Sequence, residues 1–201
     1  DARAEGVRAQ HGRDIAGRPV SRLEFEDVSV DGVAADGDSR TCDDARIRLG
    51  ACVSIATLGS ALAAYDLTRA YVRQREQFGA PLVKIPAVSA GLARMASAVR
   101  QADVATSRAI ASIESATDHG ATLAAVASAR SVTANTATVV ARLAYQLHGA
   151  IGVTQEYPLH QHTRNLWALR DAGEAASTFN AILGQLTVGG GEALLWSSLS
   201  A

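Results

Sequence analysis

Few residues in this chain stand in a pattern that does chemistry by itself. Glu156 and His160 are four apart with Pro158 between them. A dimetal site in a helix bundle needs Glu-x-x-His pairs on two helices, so no metal centre is expected. His160 and His162 are two apart, which on a helix sends them to different faces; they read as surface or interface histidines. The sequence contains no His-Glu-x-x-His, Gly-x-Ser-x-Gly or phosphate-loop run. Gly189-Gly190-Gly191 does not lie between a strand and a helix, so it reads as a flexible linker. What remains are polar groups at the ends of helical stretches: Arg75, Gln146, His148, Asp171 and Glu174. Taken singly they read as a solvated helix-end cation, a polar finish to a helix, a C-terminal cap and two exposed helix-start acids.

The elements that must position these groups are helices. Hydrophobic residues make up 48% of the chain and aromatics only 4%, with alanine abundant, which favours closely packed helices over a sandwich of strands. The formal net charge is −1, with no basic face, so nucleic-acid binding has no support. Cys42 and Cys52 form no Cys-x-x-Cys pair, and a reduced, cytoplasmic protein is the expectation. No charge-free apolar stretch is long enough to predict a membrane span.

Residues 1–40 differ from the rest. Leu23, Phe25, Val28 and Val30 form a strand-like run, with Asp31-Gly32 as a turn and glycines breaking the surroundings. This predicts one or two strands with too few partners to make a sheet alone, as at the end of a β domain whose remainder is absent. From Asp43 or Asp44, either a possible cap, the period becomes helical. Ile55, Leu58, Leu62, Tyr65 and Val72 make one stripe, opposite Asp66, Arg69 and Arg73, up to about Gln77. A second helix is predicted from Pro86 to His119-Gly120, striped by Val88, Leu92, Met95 and Val99. A third runs from about Ala121 to His148 with a small-residue face, and Gly149 and Gly152 break it. A fourth runs from Pro158 to about Leu186, bent at Gly173, followed by a tail with Trp196. The expected fold is mainly α: an antiparallel up-down four-helix bundle over 43–187, after a short β fragment and before a tail at 188–201.

Two segments carry more. Tyr71-Val-Arg-Gln-Arg-Glu-Gln-Phe-Gly-Ala-Pro81 closes the first long helix, and Tyr145-Gln-Leu-His-Gly-Ala-Ile-Gly-Val-Thr-Gln-Glu-Tyr-Pro158, followed by Arg164, closes the third. Their order, separated by one helix hairpin, resembles the acyl-CoA dehydrogenase family over about residues 20–187, in particular its actinobacterial branch. There the first bundle helix ends in Arg-x-x-Phe-Gly and the third in Gln-x-x-Gly-Gly-x-Gly. The resemblance implies FAD, an acyl-CoA substrate oxidised to a 2-enoyl-CoA, an electron-transfer acceptor, and a homo- or hetero-tetramer built from dimers. It also implies roles. Arg75 would reach the flavin pyrophosphate of a neighbouring subunit, which suits guanidinium geometry. Phe78 would pack near the adenine, Gln146 would contact the adenosine side, and His148, Gly149 and Ala150 would lie along it with their main chain.

The departures from the family pattern are as informative. Ala150 stands where a second glycine is usual. The family's catalytic glutamate, counted from Arg164, falls on Gly173; the alternative early position, counted back from Phe78, falls on Leu49. Glu174 is then the best base if the loop shifts by one residue, and Asp171 the second. Ala175-Ala176 replaces the usual Gly-Thr, and Pro86 replaces a glutamine. Some family members are hetero-oligomers in which one subunit lacks the base. A non-catalytic partner that completes another chain's FAD site is therefore the alternative expectation, and a flavin-free structural bundle a further one.

Overall fold

The structure, a computed structural model, describes residues 5–28, 39–115, 118–173 and 176–200, with backbone alone at 39–41 and 190–200. Two strands, β1 (Val7–Arg13) and β2 (Pro19–Phe25), form an antiparallel hairpin in register Val7↔Phe25 to Arg13↔Pro19. Asp14 holds its turn: Oδ1 accepts from the Ala16 and Arg18 amides at 2.9 Å, and Oδ2 accepts from Arg18 Nε at 2.7 Å. The sequence points to β2 but misses β1, because Gly12 reads as a breaker; paired to Val20 it is only a strand residue without a side chain. Apart from Val7 the residues of both strands are exposed, as expected of two strands without a sheet to join. Val30 and Asp31-Gly32 lie outside the described residues.

The rest is mainly helical: α1 (Ser39–Gln74), α2 (Pro86–Ser115), α3 (His119–His148), α4 (Leu159–Arg170) and α5 (Ala176–Ser200). Next to the α2–α3 turn, Ser112 Oγ donates to Thr122 Oγ1; deeper in, Thr136 Oγ1 donates to the Ala98 carbonyl. Pairs that diverge from the turn in this way mark antiparallel packing. At one end of α1 Gly50 meets Val126 of α3, and at the other Tyr71 stacks on His148, so α1 and α3 run side by side in the same sense. The bundle is the expected up-down one.

The helix α3 packs against all four others. A helix with neighbours on every side must be apolar all round and thin; Ala124, Ala125, Ala127, Ala129, Ala137, Ala141 and Ala144 are all buried. Close approach extends to α1, where a Cβ on Gly50 would lie 2.8 Å from Val126 Cγ1 and 3.2 Å from Phe179 Cζ. Three buried hydroxyls are satisfied within their own helix: Thr57, Thr68 and Thr133 each donate to the carbonyl four residues earlier at 2.7 Å.

Several boundaries differ from the sequence expectation. Helix α1 begins at Ser39, so Asp43 and Asp44 are interior and not caps. Asp43 pairs instead with Arg46, and Asp44 lies 3.4 Å from His119 Nδ1. His119-Gly120 opens α3 and does not end α2, because Asp118 caps α3 by accepting from the Gly120 amide at 3.0 Å. Of the predicted α1 stripe, Val72 is buried and Leu58 and Tyr65 pack against the core, but Ile55 and Leu62 are 46% and 41% exposed, while Ser54, Thr57, Ala61, Ala64 and Thr68 are buried. The face that fits against α3 is the thin one, not the most apolar one. The fourth helical region is two helices, divided at Asp171–Gly173 where Gly173 takes φ +65°. Residues Gly189-Gly190-Gly191 are helical within α5, since backbone hydrogen bonding to both flanks outweighs a cost of roughly 1 kcal/mol per glycine. By length and composition alone, Cys42–Gln74 would suit a membrane span, contrary to expectation; in the fold that helix packs against α2, α3 and α4.

Candidate functional site

The end of α1 is shaped by a miniature hairpin. Strands β3 (Glu76–Gln77) and β4 (Ala80–Pro81) pair as Glu76↔Pro81 and Gln77↔Ala80, which leaves Phe78-Gly79 as a two-residue turn. Phe78 has φ +55° and Gly79 φ +77°, the left-handed pair that a tight hairpin demands. The helix therefore stops at Gln74, before the predicted Gln77. A phenylalanine with positive φ is strained by about 1 kcal/mol or more. Here its ring is 91% exposed at the tip of the turn, so the strain is not repaid by burial within this chain. The Leu82 amide donates to the Arg75 carbonyl at 2.8 Å, which folds the hairpin back and leads through a short 3-10 turn, Leu82–Lys84, into α2 at Pro86.

The end of α3 lies alongside. Gly149 takes φ +65°, and its amide donates to the Tyr145 carbonyl, which turns the chain into a 3-10 segment, Gly149–Val153. Ala150 is not among the positive-φ residues, so its departure from the family's second glycine carries no backbone strain. Gly152 is required by packing: a Cβ there would come within 2.9 Å of His148 Cβ and 3.2 Å of Leu159 Cδ2.

Between these two ends lies a cavity of about 650 Å3, lined by Arg75, Gln77, Gln146, His148, Gly149 and Ala150 among others. Five of the six residues that the resemblance implies for the cofactor thus meet at one place, from segments more than seventy residues apart. Phe78 does not line it and stands at the hairpin tip. The cavity offers a cation without an ion pair among the described residues (Arg75), a side-chain amide and a glycine-lined wall. These are the donors and clearances that a phosphate and a sugar hydroxyl need, so the residues fit a dinucleotide of the FAD kind.

His148 is not a simple helix cap. Its ring is buried, Nδ1 donates to the Ala144 carbonyl at 2.9 Å, and Tyr71 stacks on it at 4.4 Å and 21°. Tyr157 approaches from the far side at 5.1 Å. The Tyr71 hydroxyl also donates to the His148 carbonyl at 3.4 Å. This three-ring cluster fixes α1 to α3 within one turn of Arg75 and Gln146. Sequence reasoning missed Tyr71 and Tyr157 as positioning residues, although both lie inside the motif segments. Burial holds the His148 imidazole below its usual pKa, against the opposing pull of its bond to Ala144. Burial lowers His162 in the same direction. A histidine lowered by folding binds fewer protons in the native state, so stability rises with pH. Thermal stability is expected to be flat above about pH 7 and to fall as pH drops through about 6.5. In His148→Gln that slope should be shallower; an unchanged slope would remove His148 from the account.

The second locus is the bend between α4 and α5. Asp171 is held by Arg170 through two bonds of 2.8 Å, and Arg170 stacks over Trp167 at 4.6 Å. The Arg170 bond, opposed by burial and helped by the fields of Arg170 and Arg130, keeps the Asp171 carboxyl below its usual pKa. A Cβ on Gly173 would lie 3.4 Å from Leu49 Cδ2. The two positions at which the resemblance puts a catalytic glutamate are therefore neighbours in space, and neither carries an acid. Glu174 lies outside the described residues. A further cavity, about 670 Å3, separates this bend from the β1–β2 turn and is lined by Asp14, Arg18, Trp167, Asp171 and Gly173 among others. Arg164 Nε donates to the Ile15 carbonyl at 2.5 Å and ties α4 to that turn.

Residues 47–173 match the family model described as "Acyl-CoA dehydrogenase, C-terminal domain". Over 163 residues the chain is 29% identical to 3-sulfinopropanoyl-CoA desulfinase of Paraburkholderia xenovorans, covering 75% of this chain and 40% of that protein. Over 126 residues it is 32% identical to the mitochondrial short-chain specific acyl-CoA dehydrogenase of Bos taurus, covering 63% of this chain and 29% of that protein. Butyryl-CoA dehydrogenase from Megasphaera elsdenii superposes with a TM-score of 0.77 at 25% identity, covering 94% of this chain and 50% of that one. The ChsE4-ChsE5 complex from Mycobacterium tuberculosis superposes with a TM-score of 0.84 at 21% identity, covering 93% and 50%, and shows the fold alone. The chain thus spans about half the length of these solved relatives and less of the curated ones. With a family match across more than half its length, over the helices that build the cavity, this chain belongs to the acyl-CoA dehydrogenase family.

Proposed function

We propose that this chain is part of an FAD-dependent acyl-CoA dehydrogenase that converts an acyl-CoA thioester into a 2-enoyl-CoA. One observation carries the reading: Arg75, Gln146, His148, Gly149 and Ala150 line a single cavity at the joined ends of α1 and α3. Bound FAD would accept the β-hydride. The chain's own residues hold and orient it. The Arg75 guanidinium pairs with a phosphate, the Gln146 amide meets a hydroxyl, and Gly149 lets the backbone come close. Phe78, exposed at its turn, packs on a flat ring held by a neighbouring subunit. The assembly is a homo- or hetero-tetramer built from dimers, it passes its electrons to an electron-transfer acceptor, and it works in the cytoplasm. The purified full-length protein, alone or with a neighbouring-gene product, is expected to be yellow and to bleach with an acyl-CoA. A colourless protein under both conditions would leave only the flavin-free bundle.

A second reading is favoured by the Leu49–Gly173 contact. With no acid at either family position, and Asp171 committed to Arg170, the α-proton is taken by Glu174 or by a carboxylate of another chain. In the latter case this subunit completes a partner's FAD site and is not itself the catalyst.

A further inference from the structure

The larger cavity at the α4–α5 bend adjoins a much smaller void. The two share Val53, Ala172 and Gly173, and the smaller measures about 10 Å3. That is room for about one oxygen centre. Its walls include Leu49, Gly50, Val53 and Phe179, which offer no polar side chain, and two arginines, Arg46 and Arg130. Arg46 pairs with Asp43. Arg130 is 1% exposed and heads the fully buried side chains by size. Its Nη2 donates to the Arg170 carbonyl at 3.3 Å, and its guanidinium lies 5.8 Å from the Phe179 ring centroid. Its Nη1 has no hydrogen-bond partner among the described residues. Asp171 acts on Arg130 only through its field, since both its oxygens are engaged by Arg170.

A guanidinium stays charged when buried, and a buried cation with a free N–H gains most from an anionic oxygen. The charge here is the reverse of what the resemblance leads one to expect: the void is bordered by Leu49 and Gly173, the two positions where the family carries its carboxylate, and the group without a partner among the described residues is a cation. A hydroxyl or a neutral carbonyl would satisfy the N–H, but neither would answer the charge.

We infer that this void is an oxyanion subsite: a ligand in the larger cavity projects one carboxylate oxygen past Val53, Ala172 and Gly173, the walls the two spaces share, onto Nη1 of Arg130. The acyl-CoA taken up is then one whose acyl chain carries a second acidic group. This rests on the acyl-CoA reading above. The size of the void admits one oxygen and leaves the second in the larger cavity.

The test is a titration of the FAD-loaded full-length protein, followed by perturbation of the flavin absorbance. Succinyl-CoA is compared with 4-methylpentanoyl-CoA, which has the same shape with two methyls in place of the carboxylate oxygens. Adipyl-CoA is compared with 6-methylheptanoyl-CoA in the same way. For at least one pair the acidic thioester is expected to bind about tenfold or more tightly. Arg130→Met should abolish that preference and leave binding of the methyl-ended thioester unchanged. An apolar side chain in place of Arg130 removes a buried charge and, among the described residues, strands only the Arg170 carbonyl, so the fold is expected to survive. Wild-type protein that binds the methyl-ended thioesters as tightly as the acidic ones overturns the inference, and that comparison needs no variant. A preference that persists in Arg130→Met overturns it too. So does a preference that appears only after Glu174→Gln, which would make Glu174 the group that fills the void. If no thioester perturbs the flavin, the acyl-CoA reading itself has failed, which is a different result.

Discussion

Glu174→Gln in the active, flavin-loaded assembly is expected to slow flavin reduction by acyl-CoA at least about a thousandfold, while leaving flavin bound. An amide nearly matches a carboxylate in shape but cannot take the α-proton, so the loss lies in the barrier and not in packing. The expectation rests on elimination among the acids near the bend. Gly173 and Leu49 occupy the family positions, and they are close enough that a Cβ on Gly173 would lie 3.4 Å from Leu49 Cδ2. Asp171 spends both oxygens on Arg170, which also lowers its basicity. Asp171→Asn should accordingly change the reduction rate little. Stopped-flow measurement of flavin bleaching distinguishes the outcomes. A Glu174→Gln protein that is reduced at the wild-type rate assigns proton removal to another chain, and this subunit would then serve only the flavin site.

Arg75→Ala should weaken FAD retention about ten- to a hundredfold, the loss of one charge-assisted contact of roughly 1.5–3 kcal/mol. Arg75 is exposed at the end of α1 and belongs to neither core cluster. Its removal should therefore leave the melting temperature of the flavin-free protein unchanged. Arg75→Lys keeps the charge but loses the planar fork, and should fall between wild type and alanine. Gln146→Ala should give a smaller loss, since a neutral hydrogen bond contributes about 0.5–1.5 kcal/mol. Flavin content measured after dilution and filtration reads all three. Full occupancy in both Arg75→Ala and Gln146→Ala at dilute concentration would place the flavin elsewhere.

Composition and residue spacing were enough to settle the helices and the order in which they meet. Long stretches of alanine and regularly spaced aliphatics, stopped by Phe78-Gly79, Gly149 and Gly173, allow little but a bundle of hairpins. The two motif segments marked the ends of α1 and α3, and the fold brings those ends together around one cavity. Local chemistry sufficed there, because glycines at a helix end act on their own few residues. Periodicity, however, gives a stripe without saying which stripe touches a neighbour. Ile55 and Leu62 looked like part of the inner face of α1 with Val72, yet only Val72 of the three is buried, beside Ser54, Thr57, Ala61, Ala64 and Thr68. Where small residues on α3 draw the helices close, the middle of α1 turns alanine, serine and threonine inward and leaves Ile55 and Leu62 outside, and that constraint comes from the partner helix. The same holds for single polar residues. Arg130 sits in an alanine-rich run, a signal that was readable, but only the packing of α4 and α5 leaves its Nη1 without a partner among the described residues, beside a void. His148 became a buried, stacked ring because Tyr71 and Tyr157 arrive from other segments. The contact between Leu49 and Gly173 joins residues more than a hundred positions apart. Such distant apposition is decided by how whole helices pack, since no local pattern in the chain records which remote residue a side chain will meet.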